Sequence, residues 1–280
     1  MILRMPREKV LITVKTYPTL SVTYNELVCT AGFREDGSWV RIYPVPFKNL
    51  DLNSQYKKYD WIELELVKNT SDFRPESYRP YDPGRIEVGV HLDADGGSWD
   101  ERRRVCLKNV YNDLTKLISD AKSIRKTSLA TFKPLRVTDF IIEQTDRDWD
   151  AEKLKKLNIA ARQGDLFSPE KSADTIFKLA RKLPYKFSYK FTDVNGRESS
   201  LSIIDWEVGA LYWNALERRN GNESLAVLDV KQKYFNDIVL TKDVYLFLGT
   251  TLEYHNLAPN PFVVIGVFYP KPISQLQLPL

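Results

Sequence analysis

The amino-acid sequence predicts an α+β protein, with an N-terminal antiparallel, barrel-like sheet followed by a C-terminal sheet with two adjacent helices. Short segments of alternating apolar and polar residues, separated by turn residues, dominate the first part of the 280-residue chain. Between Asp205 and Ile238 apolar residues recur at helical spacing. Two strongly apolar segments, Asp243–Thr251 and Pro261–Tyr269, close the chain and are typical of central strands.

The N-terminal part contains five predicted strands, namely Val10–Val14, Glu26–Ala31, Trp39–Tyr43, Asp60–Lys68 and Arg85–Leu92. The Asp36–Gly37 pair predicts a hairpin between the second and third of them. In the fourth, Ile62, Leu64 and Leu66 occupy alternate positions, so these side chains are expected to face inward. The segment Asp72–Pro83 contains three prolines and three aromatic residues, which predicts a stiff, extended surface loop.

The middle of the chain is predicted to be largely helical. Ser98 and Glu101 form a capping-box pattern, and the apolar residues behind them predict one long helix, Trp99–Lys122. A strand is expected at Val137–Glu143 and a lysine-rich helix at Trp149–Ala161. Arg162–Pro169 is predicted to be an exposed hinge. It would separate a β-rich region with the long helix, residues 1–161, from an α+β region, residues 170–280, unless the two form one continuous domain.

The C-terminal half follows a strand–strand–helix–helix–strand–strand order. Asn195–Gly196 predicts a hairpin turn between two strands, Tyr185–Thr192 and Ser199–Ile204. Asp205 is then placed to cap a helix. The two helices are predicted at Trp206–Arg219 and Glu223–Ile238, before the two apolar strands that close the chain.

Composition indicates a globular, cytoplasmic protein. The first 14 residues carry four charged side chains and lack the long apolar segment of a secretory signal, and no apolar segment is long enough to span a membrane. The two cysteines and two histidines are distant from one another in sequence, so neither a disulfide nor a metal site is expected. They are Cys29, Cys106, His91 and His255. The formal net charge is +4, and residues 121–190 hold 16 basic and 9 acidic side chains. This basic middle is compatible with a surface that faces phosphates, although a solvated lysine-rich surface has the same composition.

Aromatic and basic residues occur together in two segments, and they are the predicted nucleic-acid-binding residues: Trp39, Arg41, Tyr43, Arg74, Tyr78, Arg79 and Tyr81, joined by Lys133 from the basic middle. Aromatic rings stack on bases, and guanidinium groups pair with phosphates. In the alternative interpretation, Trp39 and Tyr43 belong to the core, and the arginines pair with glutamates such as Glu76.

A second set of residues is acidic. It consists of Asp205, Glu207, Asp229 and Lys231, and the last two match the Asp-x-Lys element of Mg²⁺-dependent nucleases. In those enzymes carboxylates hold the metal and lysine stabilises developing charge. The context favours ordinary roles, because Asp205 suits a helix cap and Asp229 lies in a predicted helix, whereas the nuclease motif needs a strand. A nuclease is therefore an alternative, and Mg²⁺ is the one cofactor considered, under that alternative alone.

Four segments together resemble an uncharacterised family of prokaryotic proteins: Trp39–Phe47, Asp205–Glu207, Phe247–Thr250 and Ile265–Pro270. The resemblance spans most of the chain. It implies no catalytic residue, since the family carries no established activity, and it implies a setting near mobile-element or phage-defence genes.

These observations predict a nucleic-acid-binding protein. Bases are expected to meet the Trp39–Tyr43 strand and the Arg74–Tyr81 loop, and phosphates to meet the basic middle. A Mg²⁺-dependent nuclease and a protein–protein adaptor, for which the aromatic–proline segments would be the contact surface, stay as alternatives. No membrane partner is expected.

Overall fold

The computed structural model describes residues 6–17, 28–45, 55–152, 155 and 181–273. The N-terminal sheet contains six strands: β1 (Arg7–Lys15), β2 (Val28–Arg34), β3 (Trp39–Val45), β4 (Asp60–Lys68), β5 (Ser77–Pro80) and β6 (Glu87–His91). The predicted β2–β3 hairpin is confirmed by an antiparallel ladder that continues to the turn at residues 35–38.

The first five strands close into a barrel, because β1 pairs with both β2 and β4. Around the barrel the order is β1-β2-β3-β5-β4-β1, and β3–β5 is the one parallel pair among these neighbours. This is the connectivity of the OB-fold, a five-stranded Greek-key barrel. The predicted barrel-like sheet is therefore confirmed, and β6 extends it beside β4.

Apolar side chains at alternate positions of the strands fill the barrel interior. Ile62, Leu64 and Leu66 are buried there together with Val10 and Ile12 of β1, as their spacing predicts. At Gly32 a Cβ atom would lie 2.0 Å from the carbonyl oxygen of Leu11, so only glycine lets β1 and β2 approach this closely.

The opposite faces of β1, β2 and β3 are also apolar. Their residues Val14, Phe33 and Trp39 pack against Phe247 and Ile265 from the C-terminal half. The outer wall of the barrel is therefore an internal surface of the protein, since the C-terminal half covers it.

The described residues of the C-terminal half form seven strands: β7 (Val110–Tyr111), β8 (Leu129–Phe132), β9 (Arg136–Gln144), β10 (Tyr185–Thr192), β11 (Glu198–Ser202), β12 (Tyr245–Thr250) and β13 (Phe262–Phe268). They form two sheets, with the orders β11-β10-β9 and β13-β12-β8-β7. A bridge between Ile203 and Val264 connects the two sheets. The predicted α+β class is confirmed. Within these two sheets the pairing is antiparallel except at β7–β8 and at this bridge.

Four helices accompany these strands in the described part of the chain: α1 (Asp100–Cys106), α2 (Leu114–Lys122), α3 (Trp206–Arg218) and α4 (Glu223–Lys231), which continues as a π-helix over Gln232–Val239. The Asp205 carboxylate caps α3 by accepting a hydrogen bond from the Glu207 backbone N–H, as predicted. The two predicted C-terminal helices are confirmed in position, although their spacing gave no sign of the π-helical geometry.

The prediction of one helix over Trp99–Lys122 is wrong, because α1 and α2 are separate. Between them β7 pairs with β8, at Val110 with Thr131. Asp113 then starts α2 by accepting from the backbone N–H of Lys116. Ser98 does not cap α1, since the N-cap residue is Trp99 in the left-handed conformation with φ of 60°.

The prediction of a surface loop over Asp72–Pro83 is also wrong in part. Residues 77–80 form β5, which bonds to β3 on one side and β4 on the other and thereby closes the barrel. Asp72, Arg74 and Ser77 are buried. The predicted hinge Arg162–Pro169 and most of the predicted helix Trp149–Ala161 lie outside the described residues.

Candidate nucleic-acid interface

Two arginines that the sequence singles out lie side by side at the junction of the two halves. Arg41, on β3, is 3% exposed, and Arg74, in the β4–β5 loop, is 6% exposed. Burial, and then the neighbouring charge of Arg74, lowers the pKa of the Arg41 guanidinium from its ordinary value. Two buried cations this close need internal partners.

Arg74 obtains its partner from its own loop. Its Nε and Nη2 donate to both oxygens of Asp72, at distances of 2.6–3.1 Å, and Ser77 Oγ donates to the same carboxylate at 2.7 Å. Burial alone would raise the pKa of Asp72, but the hydrogen bonds from Arg74 and Ser77 outweigh it and hold the pKa at about 2. Arg74 Nη1 also donates to the carbonyl of Thr250 on β12, so the ion pair reaches the C-terminal sheet.

Arg41 makes four hydrogen bonds, and three of them cross the junction to the C-terminal half. Its Nη1 donates to Ser77 Oγ at 3.2 Å and Ser128 Oγ at 2.8 Å, and its Nη2 donates to the carbonyls of Ser128 and Thr250. The Ser128 hydroxyl in turn donates to Glu76 at 2.7 Å. The arginine cluster, which we define as Arg41, Arg74 and Asp72, therefore fastens β3 and the β4–β5 loop of the barrel to β8 and β12.

A pocket of about 320 Å³ opens beside the arginine cluster, between the barrel and the C-terminal half. The barrel contributes Cys29, Ala31, Arg41 and Tyr43 from β2 and β3, together with Arg74 and its neighbours from the β4–β5 loop. The opposite wall comes from the C-terminal half, with Leu129, Ile204, Thr250, Val263 and Ile265 among its residues. The face of strands 2 and 3 and the loop between strands 4 and 5 are the surfaces with which OB-folds bind oligonucleotides.

An exposed aromatic ring belongs to the same loop as the pocket residues Asp72 and Arg74, and a cation lies over it. Phe73 stands between the pocket residues Asp72 and Arg74 and is 38% exposed. Its ring lies edge-on to the buried His255, with centroids 5.1 Å apart, and Lys126 Nζ is 5.3 Å from its centroid. We call Phe73, Lys126 and their neighbours Lys122, Arg125 and Tyr254 the pocket rim.

Buried hydrogen bonds of His255 fix the position of the rim. Its Nε2 lies 2.9 Å from the carbonyl oxygen of Ala121 and its Nδ1 lies 2.8 Å from Thr250 Oγ1. A neutral ring that donates to Ala121 and accepts from Thr250 satisfies both contacts, and burial lowers the pKa of His255, which favours this neutral form. The end of α2 is thereby attached to β12 beside Phe73.

Of the sequence-predicted aromatic and basic residues, the structure brings Arg41, Tyr43 and Arg74 together as pocket walls. Trp39 is half-buried and stacks on Phe33, with ring centroids 3.9 Å apart. Tyr78 lies under Arg34 and Lys68, at 4.9 and 4.8 Å from its ring centroid.

Three other predicted residues lie outside the pocket lining. Arg79 and Tyr81 are exposed on the barrel. Lys133 pairs with Asp243, a carboxylate that Arg103 also contacts at 3.0 Å, and lies over the ring of Tyr245.

The acidic candidates lie apart from this pocket. Lys58 of the barrel bonds to both Asp205 and Glu207, at 3.2 and 2.8 Å. Asp205 is 1% exposed, and burial raises its pKa to about 6. Asp229 is on helix α4 and pairs with Arg219 at 2.7 Å, whereas Lys231 lies 3.9 Å from Asp139.

Glu207 and Asp229 both border a larger cleft of about 650 Å³ beside α3, α4 and the π-helix. Each of these carboxylates already has a cationic partner there. Among the described residues, no three histidine, cysteine or carboxylate side chains are grouped so that they could hold a metal ion.

The sequence did not predict that Phe73, Lys126 and Tyr254 belong to one site. Phe73 belongs to the aromatic–proline segment and Lys126 to the basic middle, so each lay within a predicted feature. The signal that joins them is a contact between residues 53 positions apart, which no local pattern encodes.

Two family models match the chain in succession. Residues 6–108 match the domain of unknown function DUF8758, and residues 110–279 match the domain of unknown function DUF8757. No curated protein matches the sequence. No helix in the described ranges combines the length and apolar character required to cross a lipid bilayer.

Solved structures with some likeness include that of the tetrameric p202 HIN2 and that of a murine DNA-binding protein bound with double-stranded DNA. The first is 8% identical, covers 72% of this chain and 71% of that chain, and gives a TM-score of 0.29. The second is 11% identical, covers 96% of this chain and 98% of that chain, and gives a TM-score of 0.30. These TM-scores are too low to establish a shared fold.

Proposed function

The chain belongs to the family of the domain of unknown function DUF8757, whose model covers more than half of it, and we propose that it binds nucleic acid at the pocket rim. The observation that carries the proposal is the exposed Phe73 ring with Lys126 beside it, at a pocket on the β2–β3 side of an OB-like barrel. Aromatic rings next to cations are the surface on which single strands stack.

Charge at the rim favours a polyanion. Lys126 makes no ion pair with any carboxylate in the described ranges, and Lys122 Nζ donates to the carbonyl of His255. Arg125 is 3.4 Å from Asp120, its one carboxylate partner among the described residues. These cations belong to the basic middle of the sequence, which supports the prediction that this part of the chain meets phosphates.

The predicted residues take two roles in this proposal. Arg41 and Arg74 build the pocket through their internal hydrogen bonds, so they support binding by holding the two halves together. Arg79 is exposed and contributes charge on the barrel surface. Phe73 and Lys126 make the direct contacts with the strand.

Fluorescence anisotropy with labelled single- and double-stranded DNA and RNA tests the proposal. We expect binding of a single strand that weakens as salt increases, because phosphate contacts release counterions. Phe73→Ala should weaken binding about tenfold, since stacking contributes roughly 1–3 kcal/mol per base. The matched control is Tyr81→Ala, because Tyr81 is another exposed barrel aromatic, 64% exposed, and within the described ranges no cation lies over its ring as Lys126 lies over Phe73. Failure of every nucleic acid to bind would refute the proposal.

The same titration covers both alternatives. Mg²⁺-dependent cutting of the labelled strand, abolished by EDTA and by Asp229→Ala, would establish the nuclease. A salt-tolerant protein partner with no affinity for nucleic acid would establish the adaptor. A role in phage defence or mobile-element biology is an expectation that comes from the family resemblance alone.

A further inference from the structure

We propose that the pocket beside the arginine cluster takes one unstacked nucleobase, while the sugar and phosphates of the strand stay outside at the rim. This inference rests on the proposed function, and it names the chemical group that the site recognises. The pocket volume of about 320 Å³ lies within the range of small-molecule sites, which begins at about 300 Å³, so the pocket can hold one base.

The pocket is a slot between two sheets. The partly exposed apolar lining comes from Tyr43 on the barrel side and from Ile204 and Val263 on the side of the C-terminal half. A nucleobase is a flat ring with apolar faces and polar edges, and apolar walls on both sides suit its faces. The walls are preformed, because the lining residues behind them, Val14, Ala31, Leu129 and Ile265, are 0–5% exposed and pack in one core.

Polar groups lie at the edges of the slot. Thr16, Asn69 and Thr250 are among the lining residues, and the Arg41 guanidinium contributes a buried positive charge. The four hydrogen bonds of Arg41 use its two terminal nitrogens, and its Nε–H donates to no acceptor among the described residues. Donors of this kind match the carbonyl and ring-nitrogen acceptors on the edges of a base.

The rim explains why a base enters while its phosphate remains outside. Phe73 is adjacent in sequence to two pocket residues, and Lys126 lies over its exposed ring. A strand whose neighbouring base stacks on Phe73 would present its phosphate to Lys126. Within the slot the Asp72 carboxylate neutralises Arg74, and the Arg41 guanidinium, held by hydrogen bonds to Ser77, Ser128 and Thr250, offers its Nε–H to the edge of the base.

Cys29 provides a direct probe of occupancy. It is partly exposed and lines the pocket, whereas Cys106 is fully buried, and burial raises the pKa of the Cys106 thiol. These are the two cysteines of the chain. Alkylation by N-ethylmaleimide, followed by peptide mass spectrometry, therefore reports on the pocket through Cys29 and on global unfolding through Cys106.

The experiment measures the rate of Cys29 alkylation in the wild-type protein with the 5′-monophosphates of adenosine, guanosine, cytidine and uridine. With one of these at about ten times its Kd, mass action predicts an approximately tenfold slower reaction. Ribose 5-phosphate, which lacks the base, should leave the rate unchanged. Equal protection by ribose 5-phosphate, or no protection by any of the four nucleotides, would overturn the inference.

Variants at the same position separate the pocket from the rim. Cys29→Phe fills the slot, so it should abolish mononucleotide binding, as measured by calorimetry, whereas Cys29→Ala keeps the slot open and should bind like the wild type. If oligonucleotides bind the wild type but mononucleotides do not protect Cys29, the base pocket is refuted and the proposed function stands. If no oligonucleotide binds, the proposed function fails, and the base pocket, which rests on it, fails with it.

Discussion

Lys58 of the barrel is ion-paired with Asp205, the residue that caps helix α3 in the other half of the protein. The distance between Lys58 Nζ and Asp205 Oδ2 is 3.2 Å, and the two side chains are 11% and 1% exposed. Glu207 binds the same ammonium group at 2.8 Å from a more exposed position. One buried cation therefore connects the start of β4 to the N-terminus of a distant helix.

Removal of this cation should destabilise the protein strongly. In Lys58→Met the Asp205 carboxylate stays buried without its partner, and such losses cost roughly 3–5 kcal/mol of unfolding free energy. Lys57→Met is the matched control, because Lys57 is exposed. Urea unfolding at pH 7 measures both. The difference between the two variants should shrink at pH 5, because Asp205 can then bind a proton. Equal stability of the two variants at pH 7 would contradict this account.

Arg41 should not tolerate lysine. Lys keeps the charge but cannot reach Ser77, Ser128 and Thr250 at once, since it lacks the planar guanidinium with donors on separate nitrogens. We expect Arg41→Lys to lower the unfolding free energy by about 3 kcal/mol, given that each hydrogen bond from a charged group contributes roughly 1.5–3 kcal/mol. Arg79→Lys at an exposed position should change it by less than about 0.5 kcal/mol. A wild-type denaturation midpoint for Arg41→Lys would show that the cluster is not structural.

The Asp72–Arg74 pair should make the protein sensitive to acid. The pKa of Asp72 is about 2 in the folded state, against 3.8 for an ordinary aspartate, so the unfolded chain binds more protons in this range. The resulting stabilisation, about 2 kcal/mol, is complete above pH 4 and is lost as the pH falls towards 2. Thermal unfolding of the wild type and Asp72→Asn between pH 2 and pH 5 checks this. The variant should be less stable at pH 5, and the gap should close at pH 2. If the stability difference between the two proteins were the same at every pH, the acid sensitivity would have to come from other carboxylates.

Local patterns in the sequence predicted much of the fold, and long-range contacts account for most of what they missed. The strands Asp60–Lys68 and Tyr185–Thr192 have their predicted bounds, because each alternates over its full length. The alternation of Trp39–Tyr43 correctly predicted that Arg41 and Val40 point to opposite faces of the strand. The face with Arg41 was predicted to bind nucleic acid, but the C-terminal half covers it. Ser128 and Thr250, which bind Arg41, are 87 and 209 residues away in sequence. The break between α1 and α2 depends in the same way on pairing of Val110 with Thr131.

Gly209 should be irreplaceable in α3. A Cβ atom there would lie 2.2 Å from the ring of Tyr17, which packs directly on the helix. The Tyr17 hydroxyl accepts from Trp213 Nε1 at 2.8 Å and donates to the carbonyl of Arg181, so the ring cannot simply move away. Gly209→Ala is expected to cost at least about 1–3 kcal/mol, the usual penalty for overpacking. Asn214→Ala, at an exposed position of the same helix, is the control. Calorimetric melting that ranks the two variants equally would contradict the contact.

Lys126 should contribute one phosphate contact. Under the proposed function, Lys126→Ala is expected to reduce the slope of log K against log salt by about 0.7 for a single strand. Lys186→Ala, which removes a lysine already paired with Glu143 at 2.7 Å, should leave the slope unchanged. Titrations at four salt concentrations give both slopes. Identical slopes would remove Lys126 from the interface.

The cover over the outer wall of the barrel also has a consequence for biosynthesis. Phe33 and Trp39 are buried by Phe247, on a strand translated more than 200 residues later. At roughly 5–20 residues per second, a ribosome needs on the order of 10–45 s to progress from β3 to the end of β13. During that interval the nascent barrel exposes an apolar wall to solvent, so chains stalled before residue 245 should be retained by chaperones that bind apolar surface.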